Sequence, residues 1–134
     1  MLPTIQQIQQ ALNLVDFDVQ TAQRKMAPAS RTLVRPQQMS GAPHFGGVLL
    51  LLFCKDDSLY VLLTRRRDDL PSHAGQISFP GGRNEATETL LETALRETEE
   101  EVGVPAGNLD ILGALTPIYI PPSDFEVHPY VAWF

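Results

Sequence analysis

The sequence predicts a mixed α/β or α+β sandwich built around one central helix. Three features carry that expectation. Val48 to Phe53 is a continuous apolar run, the pattern of a strand buried on both faces. Residues 89 to 102 repeat apolar side chains at helical spacing. Two further strand-like segments, Leu109 to Leu115 and Tyr130 to Phe134, follow that helix. This order is not the regular βαβαβ alternation of a doubly wound sheet.

Residues 4 to about 17 read as a first helix. Thr4 is placed to cap it, and Ile5, Ile8, Leu12 and Val15 recur along one face. A connector with Pro28, Pro36 and Pro43 fills residues 18 to 45, with some helix expected around Val19 to Met26. The globular part, residues 46 to 134, opens at Gly46 and leads into the apolar run. Lys55 to Ser58 is a turn, and Leu59 to Thr64 returns as the second arm of a hairpin. Gln76 to Phe79 is a short strand, which Pro80-Gly81-Gly82 is expected to break with a tight turn. Thr87 or Thr89 caps the central helix, and Gly103 stops it.

The chain has 134 residues, which suits a single domain, and 43% hydrophobic with 19% charged residues is a globular composition. A net charge of −6 argues against a general nucleic-acid-binding surface. The longest apolar stretch, Val48 to Cys54, is far too short to span a bilayer, and the N-terminus lacks the pattern of a signal peptide. A cytoplasmic protein is expected. The single cysteine, Cys54, rules out an intrachain disulfide and is expected to be a buried, inert thiol. An acidic protein that binds a polyanion needs a local metal ion or a local cluster of arginines. Glutamates crowd between Glu85 and Glu101, and Arg65, Arg66 and Arg67 stand together before them.

On a helical wheel, Glu97, Glu100 and Glu101 fall within an arc of about 100° because they stand at i, i+3 and i+4. Like charges at these spacings destabilise a helix unless something neutralises them. A hard divalent cation such as Mg²⁺ does so, since it takes oxygen ligands. Leu91, Ala94, Leu95, Thr98 and Val102 form the opposite, packing stripe. Arg96 can reach a carboxylate across one turn, Glu88 or Glu92.

The string Gly82, Glu88, Arg96-Glu97, Glu100-Glu101, Gly103 resembles the Nudix box in every charged and glycine position. Thr98 departs from it, because a bulky aliphatic is usual there. The resemblance implies an α/β/α sandwich that hydrolyses a nucleoside diphosphate linked to another group, with Mg²⁺ or Mn²⁺. It implies Glu97, Glu100, Glu101 and the Gly81 carbonyl as metal ligands, Arg96 as the residue that orients Glu97, and Glu88 and Gly103 as structural positions of the box.

A second resemblance concerns the substrate. Leu62-Leu63-Thr64, Arg66, Gly75 and Phe79-Pro80-Gly81-Gly82 are similar in spacing to the coenzyme A pyrophosphatase subgroup. So are the segments His73 to Gly82 and Tyr119 to Tyr130. Arg67 and Pro71 depart from that pattern. CoA carries a diphosphate and a 3′-phosphate, and arginine grips phosphate oxygens in a fork. Arg66 is the first expected substrate contact, with Arg65, His73 and Gly82 as further candidates. His73 contacts substrate or caps a loop, while His44 and His128 are read as structural. ADP-ribose or another nucleoside diphosphate derivative is the alternative substrate, and a catalytically silent nucleotide-binding module the alternative class.

Family members usually continue past the position of Trp133-Phe134, through further strands and a second helix. The sandwich is therefore expected to be incomplete at its C-terminal side. An exposed sheet edge invites pairing, so a homodimer is one expectation.

Overall fold

A computed structural model describes every residue from Met1 to Phe134. Two short helices come first, α1 (Ile5–Leu12) and α2 (Val19–Met26). Thr4 and Gln7 cap α1 reciprocally, each side chain accepting from the other's backbone amide. The helix stops at Leu12 rather than near residue 17. There Asn13 turns its side-chain amide back onto the Gln9 carbonyl at 2.8 Å, a local bond that competes with helical continuation.

Two long strands form the centre of a mixed sheet. β1 (His44–Lys55) runs parallel to the later strand Phe125–Trp133, paired from His44↔Phe125 to Leu52↔Trp133. The hairpin after β1 turns on Asp56 and Asp57, whose φ values of 48° and 55° are the left-handed pair that a two-residue turn requires. β2 (Ser58–Val61) then covers the C-terminal half of β1's outer edge. β3 (Thr64–Arg65) and β4 (Ile77–Ser78) form a separate antiparallel pair. The N-terminal half of β1's edge takes β5 (Gly81–Arg83), so Pro80-Gly81-Gly82 leads into a strand and not a tight turn. On the far side, β6 (Asp110–Ala114) and β7 (Ile118–Ile120) line the outer edge of β8, the strand Phe125–Trp133.

Helix α3 (Leu90–Val102) packs on one face of this sheet. Gly47 makes that approach possible, since a Cβ there would collide with the Leu90 carbonyl oxygen. Leu49 and Leu51 follow Gly47 on the same face and meet Ala94 and Ala132 in the core, all at most 1% exposed. Burial of each leucine stabilises by about 1.5–3 kcal/mol. The other face of β1 differs from the expectation of burial on both sides: Val48, Leu50 and Leu52 are only half-buried. α1 covers that face toward β6, where Leu12 packs over Gly113. Cys54 alternates onto this less covered face beside the hairpin turn and is exposed, which corrects the expectation of a buried thiol. No helix is long and apolar enough to cross a membrane.

The connector is tied down at its end. Arg35 grips Asp124 with two hydrogen bonds, at 2.7 and 2.9 Å, and the Tyr119 hydroxyl donates to the same carboxylate at 2.9 Å. The Asp124 carbonyl accepts the His44 amide at 2.8 Å. The start of β1 is thereby fixed against the start of β8.

Candidate active site

Thr89, rather than Thr87, caps α3. Its hydroxyl accepts the Glu92 amide, and Glu92 returns the bond to the Thr89 amide. Gly103 ends the helix at φ 73°, a left-handed conformation in which glycine carries no Cβ penalty. Between these ends the packing stripe is buried at Ala94 and Thr98 and half-buried at Leu91, Leu95 and Val102. The Thr98 hydroxyl donates to the Ala94 carbonyl at 2.6 Å, so the polar atom that departs from the box is satisfied within the helix.

The opposite face holds the glutamates. Arg96 lies among them and selects Glu88 rather than Glu92, donating to its two oxygens at 3.0 and 2.8 Å. It also donates to Glu97 at 2.9 Å, more distantly to Glu100 at 3.4 Å, and to the Arg83 carbonyl at 3.3 Å. Glu88 further accepts the Glu85 amide at 3.0 Å and the Thr93 hydroxyl at 2.8 Å. The Arg96 hydrogen bonds, followed by the Glu85 amide, lower the Glu88 pKa to about 2. Asn84, which no sequence pattern singles out, donates to the Glu88 carbonyl and to Thr93 and braces the same turn.

Strand β5 forms the floor beside the glutamates. The Glu97 carboxylate occupies the space over Gly82, where a Cβ would lie 2.5 Å from its carboxyl carbon. The missing side chain of Gly82 makes room for Glu97. A Cβ on Gly81 would strike the Gly47 carbonyl oxygen, so both glycines serve close approach. The Glu101 carboxylate lies beside the Gly81 amide. Desolvation raises its pKa, and the Glu97 and Glu100 charges add to the rise. The Gly81 amide and the Arg66 charge oppose it.

The structure separates the three consecutive arginines. Arg65 pairs with Asp68 and Arg67 with Asp69. Arg66 has no carboxylate within ion-pair distance; its Nε donates to the Ser72 carbonyl at 2.8 Å, which leaves both terminal nitrogens available. His73 is exposed at φ 54°, and its carbonyl accepts the Gln76 amide, a loop-forming position. His128 bonds Glu126 at 2.7 Å. His44 Nδ1 accepts from Arg83 Nη2 at 3.1 Å, a contact that sequence spacing did not suggest.

No three His, Cys, Asp or Glu side chains converge on one point as they stand, because Arg96 draws Glu97 and Glu100 toward itself. Glu101 lacks a cationic partner within 4 Å. Carboxylates at i, i+3 and i+4 beside a glycine-lined strand are oxygen donors only, the set a hard divalent cation takes.

The match to known proteins decides the family: the NUDIX domain model covers residues 43–134. The chain belongs to the Nudix family. It is similar to an uncharacterized Nudix hydrolase NudL of Yersinia enterocolitica, 44% identical over 98 residues, covering 72% of this chain and 49% of that protein. It is also similar to Nudix hydrolase 3 of Caenorhabditis elegans, 46% identical over 86 residues, covering 64% of this chain and 36% of that one. The chain thus spans half or less of the length of these two relatives. Among solved structures, the Ap4A hydrolase of C. elegans superposes with a TM-score of 0.57 at 18% identity, over 68% of this chain and 67% of that one. At that identity the likeness shows the Nudix fold, with its mixed sheet and helix carrying the box.

Proposed function

We propose that this chain is the hydrolytic part of a divalent-metal-dependent Nudix pyrophosphohydrolase acting on CoA or acyl-CoA. The products would be adenosine 3′,5′-bisphosphate and 4′-phosphopantetheine. The observation that carries the substrate reading is Arg66, whose terminal nitrogens are available beside the glutamate face while both neighbours are paired to aspartates. The similarity of residues 62–82 and 119–130 to the CoA pyrophosphatase subgroup supports it.

Glu97, Glu100, Glu101 and the Gly81 carbonyl are the residues that would hold Mg²⁺ or Mn²⁺. Such an ion polarises a bound diphosphate, neutralises developing charge and activates water. The chain's own residues supply position. Arg96, anchored by Glu88, fixes the Glu97 side chain. Arg66 would donate to phosphate oxygens in the bidentate manner of a guanidinium. Overall, one P–O bond of the diphosphate breaks and water supplies the oxygen and two protons that complete the two monoesters.

ADP-ribose is the second reading, since Arg67 and Pro71 depart from the CoA pattern and a structural relative, the NUDIX domain of Shewanella oneidensis NrtR, is described in complex with ADP ribose. The test is incubation of the chain with CoA or ADP-ribose, with Mg²⁺ or Mn²⁺, and chromatography of the products. Adenosine 3′,5′-bisphosphate and phosphopantetheine from CoA, abolished by a chelator, support the proposal. AMP from ADP-ribose with CoA untouched overturns the substrate reading. Nucleotide binding without turnover, unaltered in Glu100→Gln and Glu101→Gln, overturns the catalytic one.

A further inference from the structure

We infer that Arg83, with His44 and Phe125, forms a separate phosphomonoester subsite on the sheet face opposite α3, which takes the 3′-phosphate of the nucleotide half of the substrate. This deepens the CoA reading and rests on it for the identity of that phosphate.

Strand β5 divides its side chains between two faces. Gly82 faces the Glu97 carboxylate on the α3 side. The next residue, Arg83, pairs with Gly46 and so points to the other side. On that side a Cβ at Gly46 would meet the Phe125 ring at 2.7 Å, so the aromatic ring lies directly over the glycine. His44 shares this face, its ring 5.8 Å from that of Phe125.

Arg83 is exposed and has no carboxylate within ion-pair distance. Its one side-chain hydrogen bond runs from Nη2 to His44 Nδ1 at 3.1 Å. A guanidinium nitrogen can only donate, so Nδ1 is the acceptor and the proton of a neutral imidazole lies on Nε2. The pair therefore presents a guanidinium and an imidazole N–H beside an aromatic face, donors suited to a phosphate dianion next to a nucleoside. The Asp124 carboxylate is occupied by Arg35 and Tyr119. The same clasp fixes His44, because the Asp124 carbonyl accepts its amide. β5 is an edge strand at this end of the sheet, paired only with β1. The subsite requires the nucleotide to lie around that edge, with its diphosphate by the glutamates and its monoester at Arg83.

The test compares CoA with dephospho-CoA, which lacks only the 3′-phosphate, for the unaltered chain, Arg83→Ala and Arg83→Lys. The unaltered chain is expected to prefer CoA by roughly tenfold or more in kcat/KM, carried mainly by KM. In Arg83→Ala the CoA to dephospho-CoA ratio should fall toward one, with Arg83→Lys in between. Equal use of the two substrates by the unaltered chain, or an equal loss on both in Arg83→Ala, overturns the inference. Calorimetry with adenosine 3′,5′-bisphosphate and AMP gives the same comparison without turnover. If ADP-ribose alone is cleaved but the bisphosphate still binds through Arg83, the substrate reading fails and the subsite stands. Equal affinity for the two nucleotides sinks the subsite whatever the substrate.

Discussion

The guanidinium of Arg96 holds Glu88 through two hydrogen bonds, from Nε at 3.0 Å and from Nη2 at 2.8 Å, eight residues apart in sequence. This pair links the loop before α3 to the middle of the helix and leaves Arg96 Nη1 to grip Glu97. Its pH behaviour follows from the depressed Glu88 pKa. A lowered carboxyl contributes stability that is fully present above its ordinary value of 4.5 and is lost as pH falls toward about 2. Asp124, lowered first of all by Arg35, acts in the same direction. The melting temperature should therefore fall through this acid window. Glu88→Gln should melt lower at neutral pH and lose less on acidification; parallel melting curves for the two proteins would refute the assignment.

Gly82→Ala should uncouple activity from folding. The added methyl would sit 2.5 Å from the Glu97 carboxyl carbon, and the side chain is the group able to move. Turnover or metal affinity should drop by roughly 10- to 100-fold, as for displaced supporting groups at metal sites. Circular dichroism and melting should change little. Gly47→Ala provides the contrast, because its methyl meets the helix backbone, and overpacking there should cost about 1–3 kcal/mol in a denaturant titration.

Glu101→Gln should abolish turnover and yet stabilise the metal-free chain. Removing one like charge four residues from Glu97 relieves about 0.2–0.5 kcal/mol on the helix. Mg²⁺ should raise the melting temperature of the unaltered chain more than that of the variant. A variant that melts lower without metal would show that Glu101 has a stabilising partner.

Arg66→Ala and Arg65→Ala should separate cleanly. Loss of a charge-assisted hydrogen bond to phosphate costs about 1.5–3 kcal/mol, or roughly tenfold to a hundredfold in KM. Arg65 lies in an exposed pair with Asp68, so its removal should leave KM within about twofold. Steady-state kinetics on CoA reads both, and equal effects would remove Arg66 from the substrate site.

The box glutamates, the caps and the core helix were legible because each depends on local spacing. Three carboxylates at i, i+3 and i+4 share a face wherever the helix lies, and Gly103 stops it by backbone freedom alone. Gly81 and Gly82 were legible as a special position but not as a strand. Their small size answers to β1 and to Glu97, partners distant in sequence. Arg66 stood out by resemblance alone, and its neighbours' pairing with Asp68 and Asp69 appears only in the fold. Nothing local in Arg35 or Asp124 announces their pairing across the fold. The exposure of Cys54 also lay beyond reach, since an apolar run does not say which face a helix covers.

The parallel pairing of β1 with β8 sets an order of events for the nascent chain. β1 carries the long apolar run and is synthesised before its central partner, residues 125–133. The β1–β2 hairpin can close at once, on the microsecond scale of about 1–10 μs. The central pairing must wait until residues 125–133 have emerged, and closure over that sequence separation slows folding. Until then Val48 to Phe53 is a β-prone segment without charge, a site for misassociation. The hairpin and the charged turn at Asp56-Asp57 thus serve as its first protection during synthesis.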